Sequence, residues 1–374
     1  MKKIALILGI LLTPLYIFSS GGIQPAHGIL FLFILTQANQ LLRIFLIEKH
    51  ASSVLFILTI WAFFREGFGA IAHNDIRALL PAIYWLYNFL LFAAVVTFLR
   101  TRERERALEL AVPGAVLVAF FGILLLGYSL TIDSEGFRSV GTFNNPNQLG
   151  YFSVCVASLM LLLWKSKNIK GRTATVYLAV AAFLSIVSLS KAAMVAVFFA
   201  GALVLWPKKL NLRSLTTSVI GIGITLTAAY SLFNAENPND INFVRRLNQI
   251  GQDQDDSLEA RGYFAFLDGN ALHLIFGLDS TEVQNIVGHE VHSTIFSVFN
   301  TYGLIGLALF LIFLGLWCLR LYKNFGFNAF LYIAAPPMLY GITHNGTRFT
   351  IFWILLSASF ALSRNTAQPK PHSL

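Results

Sequence analysis

The run Val291-His-Ser-Thr-Ile-Phe-Ser-Val-Phe-Asn-Thr-Tyr-Gly-Leu-Ile-Gly-Leu-Ala-Leu-Phe310 is mostly apolar and follows a polar segment. A helix of about 20 mostly apolar residues is long enough to cross the hydrocarbon core of a bilayer. The segment before it, residues 234–290, holds many more acidic than basic residues. We therefore predict a large loop outside the membrane that leads directly into a spanning helix.

The composition of the whole chain predicts an all-α polytopic membrane protein. Of its 374 residues, 56% are hydrophobic and 12% are charged, whereas a soluble globular domain has about 25% charged residues. The alternation of polar and apolar residues that marks a membrane β-barrel is not found in the sequence. About twelve apolar stretches are predicted to span the bilayer: 4–18, 28–47, 51–64, 80–99, 107–130, 148–164, 173–188, 191–206, 214–233, 291–317, 327–342 and 347–362.

The basic residues lie in every second connector, and this pattern predicts the orientation. Connectors 100–106, 165–172, 208–213 and 320–323 are rich in Lys and Arg, and such connectors stay in the cytoplasm. We predict that both termini are cytoplasmic and that the net charge of +9 reflects topology, with no nucleic acid as partner. The N-terminus also resembles a signal peptide, but it lacks a clear small-x-small cleavage site, which favours an uncleaved first helix.

Four regions follow from this pattern. Residues 1–233 are predicted to form an N-terminal transmembrane bundle, 234–290 a periplasmic loop, 291–363 the C-terminal transmembrane helices and 364–374 a cytoplasmic tail. Within the loop, Ser257 is a potential N-cap. After it, apolar residues recur at helical spacing, which predicts a helix that lies on the membrane surface or caps the bundle: Leu258, Phe264, Leu267, Leu272 and Ile275.

Eight cations lie on the predicted outer side of the membrane: Arg65, Arg77, Arg138, Lys191, Arg245, Arg246, Arg261 and Arg348. A cation held at the edge of a membrane tends to be paired or to serve a function. Arginines in a cluster suit a phosphate or diphosphate, because a guanidinium group matches phosphate oxygens with two hydrogen bonds. Pairing of each cation with a nearby acid is the simpler alternative, and for the set both interpretations stand.

His292 is the candidate base, since a histidine can take up a proton near neutral pH. The alternative is a helix-end histidine that hydrogen-bonds a backbone carbonyl. His289 is three residues earlier and His344 is a further candidate. Because no third or fourth ligand follows at a suitable spacing, the His-x-x-His pattern does not predict a metal site.

The turn Arg138-Ser-Val-Gly-Thr-Phe-Asn-Asn-Pro-Asn-Gln148 lies between two predicted spans. Asn145 and Asn147 offer amide groups there. Such amides suit the hydroxyl groups of a sugar, and they equally suit the cap of the next helix.

Four motifs, in this order, resemble those of the O-antigen ligase and polysaccharide polymerase superfamily. They are Arg138-x-x-Gly-Thr-Phe-x-Asn-Pro-Asn147, Ser188-Leu-Ser-Lys191, Glu259-Ala-Arg261, and His292 followed by Gly303-Leu-Ile-Gly306. Lys191 stands where the family usually has arginine, and Ser293 stands where it usually has asparagine.

The resemblance implies a metal-independent glycosyltransferase without a cofactor, in the bacterial inner membrane. The donor would be an undecaprenyl-diphosphate-linked oligosaccharide. The acceptor would be another glycan in O-antigen or exopolysaccharide polymerisation, or lipid A core in ligation. Arg261 and Lys191 would hold the diphosphate and His292 would act on the acceptor hydroxyl, so His292 and Arg261 are the predicted catalytic residues. The turn with Arg138, Asn145 and Asn147 would shape the site, and His289 is predicted to bind substrate beside it.

A protein of another class also fits the composition. A transporter or flippase for an anionic or lipid-linked solute would place its binding groups near the middle of the membrane, often with inverted repeats. The ionisable groups of this chain crowd toward the predicted outer face, and the sequence shows no long repeat. These observations favour the enzyme over the transporter, and a scaffold without activity is the remaining alternative.

Overall fold

A computed structural model describes residues 1–18, 22–126, 139–205, 257–268 and 271–363. In these ranges the chain forms α-helices and short 3-10 turns without a β-strand, which confirms the all-α class. The expected span 214–233, the first part of the large loop, the tail 364–374 and Arg138 lie outside the described residues.

The described ranges contain fourteen α-helices and three 3-10 turns. The helices are α1 Lys2–Leu11, α2 Pro25–Thr36, α3 Ile44–Ile47, α4 Lys49–His73, α5 Leu80–Phe98, α6 Arg102–Leu126, α7 Pro146–Lys165, α8 Gly171–Ser188, α9 Lys191–Leu205, α10 Ala271–Phe276, α11 Ser280–Val287, α12 Thr294–Phe325, α13 Phe327–Thr343 and α14 Thr350–Leu362. The 3-10 turns are Ala38–Arg43, Ile76–Leu79 and Ala265–Asp268.

Six of these helices are long and apolar enough to cross a membrane: α4, α5 with the turn before it, α6, α7, α8 and α12. The pair Pro25–Thr36 and Ala38–Ile47 is a seventh candidate, broken by a bend of 71°. Helices α9 and α14 are apolar but shorter. The described chain is therefore a polytopic membrane protein with six or seven candidate spans, and these ranges do not confirm the expected twelve.

Prolines explain several helix boundaries. Pro25 and Pro146 are the first residues of α2 and α7, where a missing N–H leaves no intrahelical hydrogen bond unmade. Helix α1 ends at Leu11, well short of the expected stretch 4–18. Pro14 follows two residues after its C-cap, Leu12, and proline cannot continue a helix.

Helices α14 and α7 form the centre of the bundle. Every residue of α14 is buried, and so are most residues of α7. Helix α14 packs against α5 and α7. By contrast, α4 and α12 expose large apolar side chains such as Ile60 and Ile312, as expected for helices that face lipid.

The helix ends separate into two groups. The basic end contains the connectors 99–101 and 166–170, where Arg102 Nη2 donates to Lys167 O at 3.1 Å. It also contains the ion pair of 2.6 Å between Arg320 and Glu48, which joins the end of α12 to the start of α4. The loop end contains residues 12–18, 22–24, 74–79, 139–145, 257–268, 271–293 and 344–349. The structure thus gathers predicted basic connectors at one end and the candidate site residues at the other.

The segment 257–276 does not form the single helix expected from Ser257. Residues 257–264 are turns, and Ser257 Oγ accepts a hydrogen bond from Ala260 N at 3.0 Å. Gly262 has φ of 70°, a left-handed conformation that ends any helix at this point. The chain then continues through a 3-10 turn and the short helix α10.

Two glycines let the backbone after α10 cross the backbone of α12. Gly303 has φ of 65° and ψ of −166° inside α12, a region that essentially only glycine adopts. Gly277, directly after α10, has φ of 85°. A Cβ atom on Gly303 would clash with the carbonyl oxygen of Ile275, and one on Gly277 would clash with that of Thr301. The crossing therefore requires both glycines, and α12 is kinked where it occurs.

A buried carboxylate fixes the next part of the loop to α4. Glu66 is fully buried. Its Oε2 accepts hydrogen bonds from Ser280 Oγ at 2.8 Å and Ser280 N at 3.2 Å, and its Oε1 accepts one from Tyr302 Oη at 3.1 Å. Both oxygens of Glu66 thus have hydrogen-bond donors, so this polar side chain can be buried inside α4. The helix continues to His73, past the expected end at residue 64.

Candidate functional site

The loop end is built from connectors that are far apart in sequence. Thr142 Oγ1 donates to Pro14 O at 2.6 Å, and Tyr16 N donates to Thr142 O at 2.9 Å. On the other side, Tyr340 Oη donates to Asn147 O at 2.7 Å. These bonds hold together the connector after α1, the turn 139–147 and the end of α13.

The loop 344–349 lies at the centre of this end. Asn345 Oδ1 accepts hydrogen bonds from Thr347 N at 3.1 Å and Thr347 Oγ1 at 2.7 Å, which close a tight turn. Gly346 N donates to Thr294 Oγ1 at 2.7 Å. A Cβ atom on Gly346 would clash with the hydroxyl of Tyr151, so the turn fits closely over the helices below it.

Three histidines come together beside this loop. The rings of His289 and His292 stack with their centroids 5.0 Å apart, and the ring of His344 lies 6.4 Å from that of His292. His344 in turn stacks on Tyr340 at 4.6 Å. The backbone N of His292 donates to Arg261 O at 3.1 Å, which fixes the position of His292 one residue before the N-cap of α12, Ser293.

Arg261 and Tyr263 cap the C-terminus of α13. Arg261 Nη1 donates to Thr343 O at 3.2 Å, and Tyr263 Oη donates to Ile342 O. A cation at the C-terminal carbonyls of a helix is favourable, because the helix dipole is negative there. Burial raises the pKa of Tyr263 above its ordinary value, so its hydroxyl keeps the proton that it donates.

Asn300 joins two turns of the large loop to α12. Its Nδ2 donates to Gly262 O at 2.8 Å, and its backbone oxygen accepts from Leu278 N at 2.7 Å. The side-chain amide of Asn300 is therefore a hydrogen-bond donor to the backbone of the large loop.

Two pockets open between these elements. The first has a volume of about 210 Å³, and its lining includes Tyr16, His27, Asn145, Asn147, Gln148, His292, Tyr340 and His344. The second has a volume of about 480 Å³, and its lining includes Asp75, Arg77, Trp85, Asn88, Thr281, Gln284, His289 and Ser297. Both linings are rich in amides, hydroxyls and aromatic rings, which are groups that bind sugars well.

The two pockets share a common wall. Tyr84, Glu290, Asn345 and Arg348 line both of them. Glu290 and Arg348 form an ion pair of 2.6 Å in this wall, and Asn345 Nδ2 donates to the other carboxylate oxygen of Glu290 at 2.8 Å. The stacked histidines lie across the same boundary, since His292 lines the first pocket and His289 the second.

No protein-family model matches this sequence, and no curated protein matches it. The resemblance to the O-antigen ligase and polysaccharide polymerase superfamily therefore rests on the four motifs themselves.

Asn145 and Asn147, two of the predicted binding residues, lie in the first pocket with His292. Asn145 is also the N-cap of α7, where its Oδ1 accepts from Asn147 N at 2.7 Å. The two interpretations of this turn are compatible, because the cap orients the amides at the edge of the pocket.

Of the eight predicted outer cations, Arg348 lines both pockets and Arg77 lines the second, but the two described cations that the family resemblance assigns line neither. Arg261 binds the end of α13, beneath the loop 344–349. Lys191 is the first residue of α9, at the level of Gly150 in the first turns of α7. Neither lines these two pockets, and Arg138 lies outside the described residues. The arginine that does line the first pocket is Arg348.

Other residues of the site carry weaker signals in the sequence. Arg348 and His344 were recognisable as an outer cation and an outer histidine, but the Glu290 to Arg348 pair spans 58 residues. Asn345 belongs to a short Asn-Gly-Thr pattern that also matches a glycosylation sequon. Its contacts include the local turn with Thr347 and a hydrogen bond to Glu290, and only the second of these depends on the tertiary structure.

Proposed function

We propose that this chain is a glycosyltransferase of the bacterial inner membrane that joins glycans carried on polyprenyl diphosphate. Its loop end would face the periplasm and its termini the cytoplasm. The observation that carries the proposal is the pair of polar pockets that meet at Glu290, Asn345 and Arg348. A reaction between two glycans needs two adjacent binding sites with a reactive group at their boundary. The motifs that resemble the superfamily support the same activity.

His292 is the proposed general base. It lies in the first pocket beside the common wall, where it can take the proton of an acceptor hydroxyl as the oxygen attacks the anomeric carbon of the donor. The new glycosidic C–O bond forms as the C–O bond to the diphosphate breaks. The leaving diphosphate takes the electron pair of that bond. Stacking on His289 holds the imidazole ring of His292 in place.

The leaving diphosphate gains negative charge, and positive groups aimed at it lower the barrier. Arg348 lines both pockets and is placed to supply this charge. Arg261 would add its charge from beneath the loop 344–349, and Lys191 and Arg138 would do so as the resemblance implies. In this proposal Arg261 also acts as a positioning residue, since its backbone oxygen fixes His292.

The position of the pockets favours an enzyme over a transporter. Both lie at the loop end of the bundle, whereas a transporter is expected to bind its solute near the middle of the membrane. A ligase would use the same donor chemistry and differ in its acceptor. We favour polymerisation, in which both substrates are lipid-linked glycans of one kind.

The test is turnover of the purified protein with a polyprenyl-diphosphate-linked oligosaccharide, with and without lipid A core. Release of polyprenyl diphosphate and a ladder of products without the core is the expected result. Transfer that requires the core would replace the polymerase with a ligase. Donor binding without diphosphate release, with either acceptor, would contradict the enzyme.

A further inference from the structure

The short helix α10 carries large apolar side chains that the described protein does not cover. Leu272 is 62% exposed and Ile275 is 44% exposed, and Leu274 and Phe276 are exposed as well. Four exposed apolar side chains in a six-residue helix are costly in water, since burying one such side chain fully is worth about 1.5–3 kcal/mol. An apolar environment is therefore expected around α10.

The contacts of α10 fix its position along the neighbouring helices α4 and α12. The ring of Phe276 lies 6.0 Å from that of Trp61 in α4, and Gly277 crosses the backbone of α12 at Gly303. The depth of these contacts can be measured from the basic end, where Glu48 and Arg320 pair at the start of α4 and near the end of α12.

Helices α4 and α12 give similar distances between the basic end and the contacts of α10. Trp61 lies about 18 Å along α4 from Lys49, and Gly303 lies about 25 Å along α12 from Arg320, at 1.5 Å per residue. The hydrocarbon core of a bilayer is about 30 Å thick. Measured from the basic end, the contacts of α10 therefore fall at a level that corresponds to the half of such a core nearer the loop end.

The exposed face of α10 continues the lipid-facing surface of its neighbours. Ile60 and Phe64 of α4 are exposed, and so is Leu304 of α12, one residue beyond the crossing. The segment then returns to the loop end through Ser280, whose hydroxyl donates to the buried carboxylate of Glu66. This hydrogen bond fixes the point at which the chain turns back toward the loop end.

We propose that residues 271–278 form a re-entrant segment inserted between lipid acyl chains, with Leu272 and Ile275 in direct contact with them. The segment enters and leaves the bilayer at the loop end. The crossing of Gly277 and Gly303 sets its depth, and the bonds from Ser280 to Glu66 fix its exit. The proposal concerns the membrane placement of this segment and goes beyond the proposed glycosyl transfer.

Single cysteines test this placement in liposomes that contain the full chain with Cys155 and Cys318 replaced by alanine. Leu272→Cys is the test variant. Ile60→Cys, on the exposed face of α4, is the lipid-facing control, and Asn285→Cys, on an exposed polar position of α11, is the aqueous control. A membrane-impermeant maleimide should modify Asn285→Cys at least about ten times faster than the other two. After solubilisation in SDS all three should react equally.

A second measurement distinguishes lipid from protein around α10. A bimane fluorophore attached at Leu272→Cys should be quenched by lipids with brominated acyl chains, to an extent similar to that at Ile60→Cys. Modification of Leu272→Cys by the impermeant reagent as fast as Asn285→Cys would overturn the proposal. Protection from the reagent without quenching by brominated lipid would also overturn it, because another part of the chain would then cover α10.

Discussion

The two ends of the bundle are held together by different means. At the basic end, short connectors are joined by ion pairs such as Arg320 with Glu48 and by the bond from Arg102 to the backbone of Lys167. At the loop end, long connectors are fixed by a backbone crossing, a buried carboxylate and a capped turn. The predicted role of the basic end is to carry positive charge on one side of the membrane. The loop end brings His289, His292, Glu290, Asn345 and Arg348 close to one another.

Replacement of His292 should have the largest effect. In His292→Ala we expect the rate of glycan transfer to fall by about 10²- to 10⁴-fold, because a positioned base contributes this much to catalysis. Diphosphate release by the purified variant measures the effect. His50→Ala is the matched control, because His50 is an exposed histidine at the basic end and its loss should leave the rate unchanged. Equal rates in the two variants would remove His292 from the mechanism.

Gly303→Ala should destabilise the folded protein by more than about 2 kcal/mol. A side chain at this φ and ψ is strained by about 1–3 kcal/mol, and its Cβ atom would also clash with the backbone after α10. The midpoint of thermal unfolding in detergent measures the change.

Gly315→Ala in the same helix is the control for Gly303→Ala. No atom lies within 4 Å of a Cβ built on Gly315, and alanine favours a helix over glycine by about 0.5–1 kcal/mol. We expect this variant to be as stable as the native protein or slightly more so. A native unfolding midpoint for Gly303→Ala would show that the two backbones do not cross.

Glu66→Ala should cost about 1–3 kcal/mol, because it leaves the hydroxyl of Tyr302 and the N–H of Ser280 without their acceptor. The loss should concentrate in the large loop. Limited proteolysis at 257–290 is therefore expected to accelerate more than unfolding of the whole bundle. Cleavage of this loop at the native rate would contradict the anchoring role of the carboxylate.

Glu48→Ala at the basic end should have the smallest effect, about 1 kcal/mol, which is the upper end of the range for exposed ion pairs, because this pair is only partly exposed. It removes the partner of Arg320, whose side chain is 29% exposed and can turn toward water. A larger shift of the unfolding midpoint in Glu66→Ala than in Glu48→Ala would therefore show that the loop end depends more on its buried polar contacts than the basic end does on its ion pair. An equal shift of the unfolding midpoint in both variants would mean that the ends do not differ in this way.

The sequence predicted helices best where apolar runs are long and end at proline, glycine or charge. The expected stretch 148–164 corresponds closely to α7, and 80–99 to α5. The prediction for α4 stopped at residue 64, because Arg65 and Glu66 follow. Sequence alone does not show that Ser280 and Tyr302, more than 200 residues away, satisfy that carboxylate.

The site was predicted in part. His292, Asn145 and Asn147 were recognisable because each has a polar side chain at the end of an apolar span. The common wall was not recognisable, since the pairing of Glu290 with Arg348 depends on how two connectors pack. The single helix expected from Ser257 failed for a similar reason. Apolar spacing in 258–275 predicts one face of a helix, but Gly262 and the 3-10 turn Ala265–Asp268 divide the segment.

The burial of α14 has a consequence for the order in which the protein can be assembled. This helix covers residues 350–362, so the ribosome makes it after every other described helix, yet it occupies the middle of the bundle against α5 and α7. The inner faces of those earlier helices therefore stay uncovered until α14 has been made. A chain truncated before Thr350 would leave α5 and α7 without the helix that packs between them.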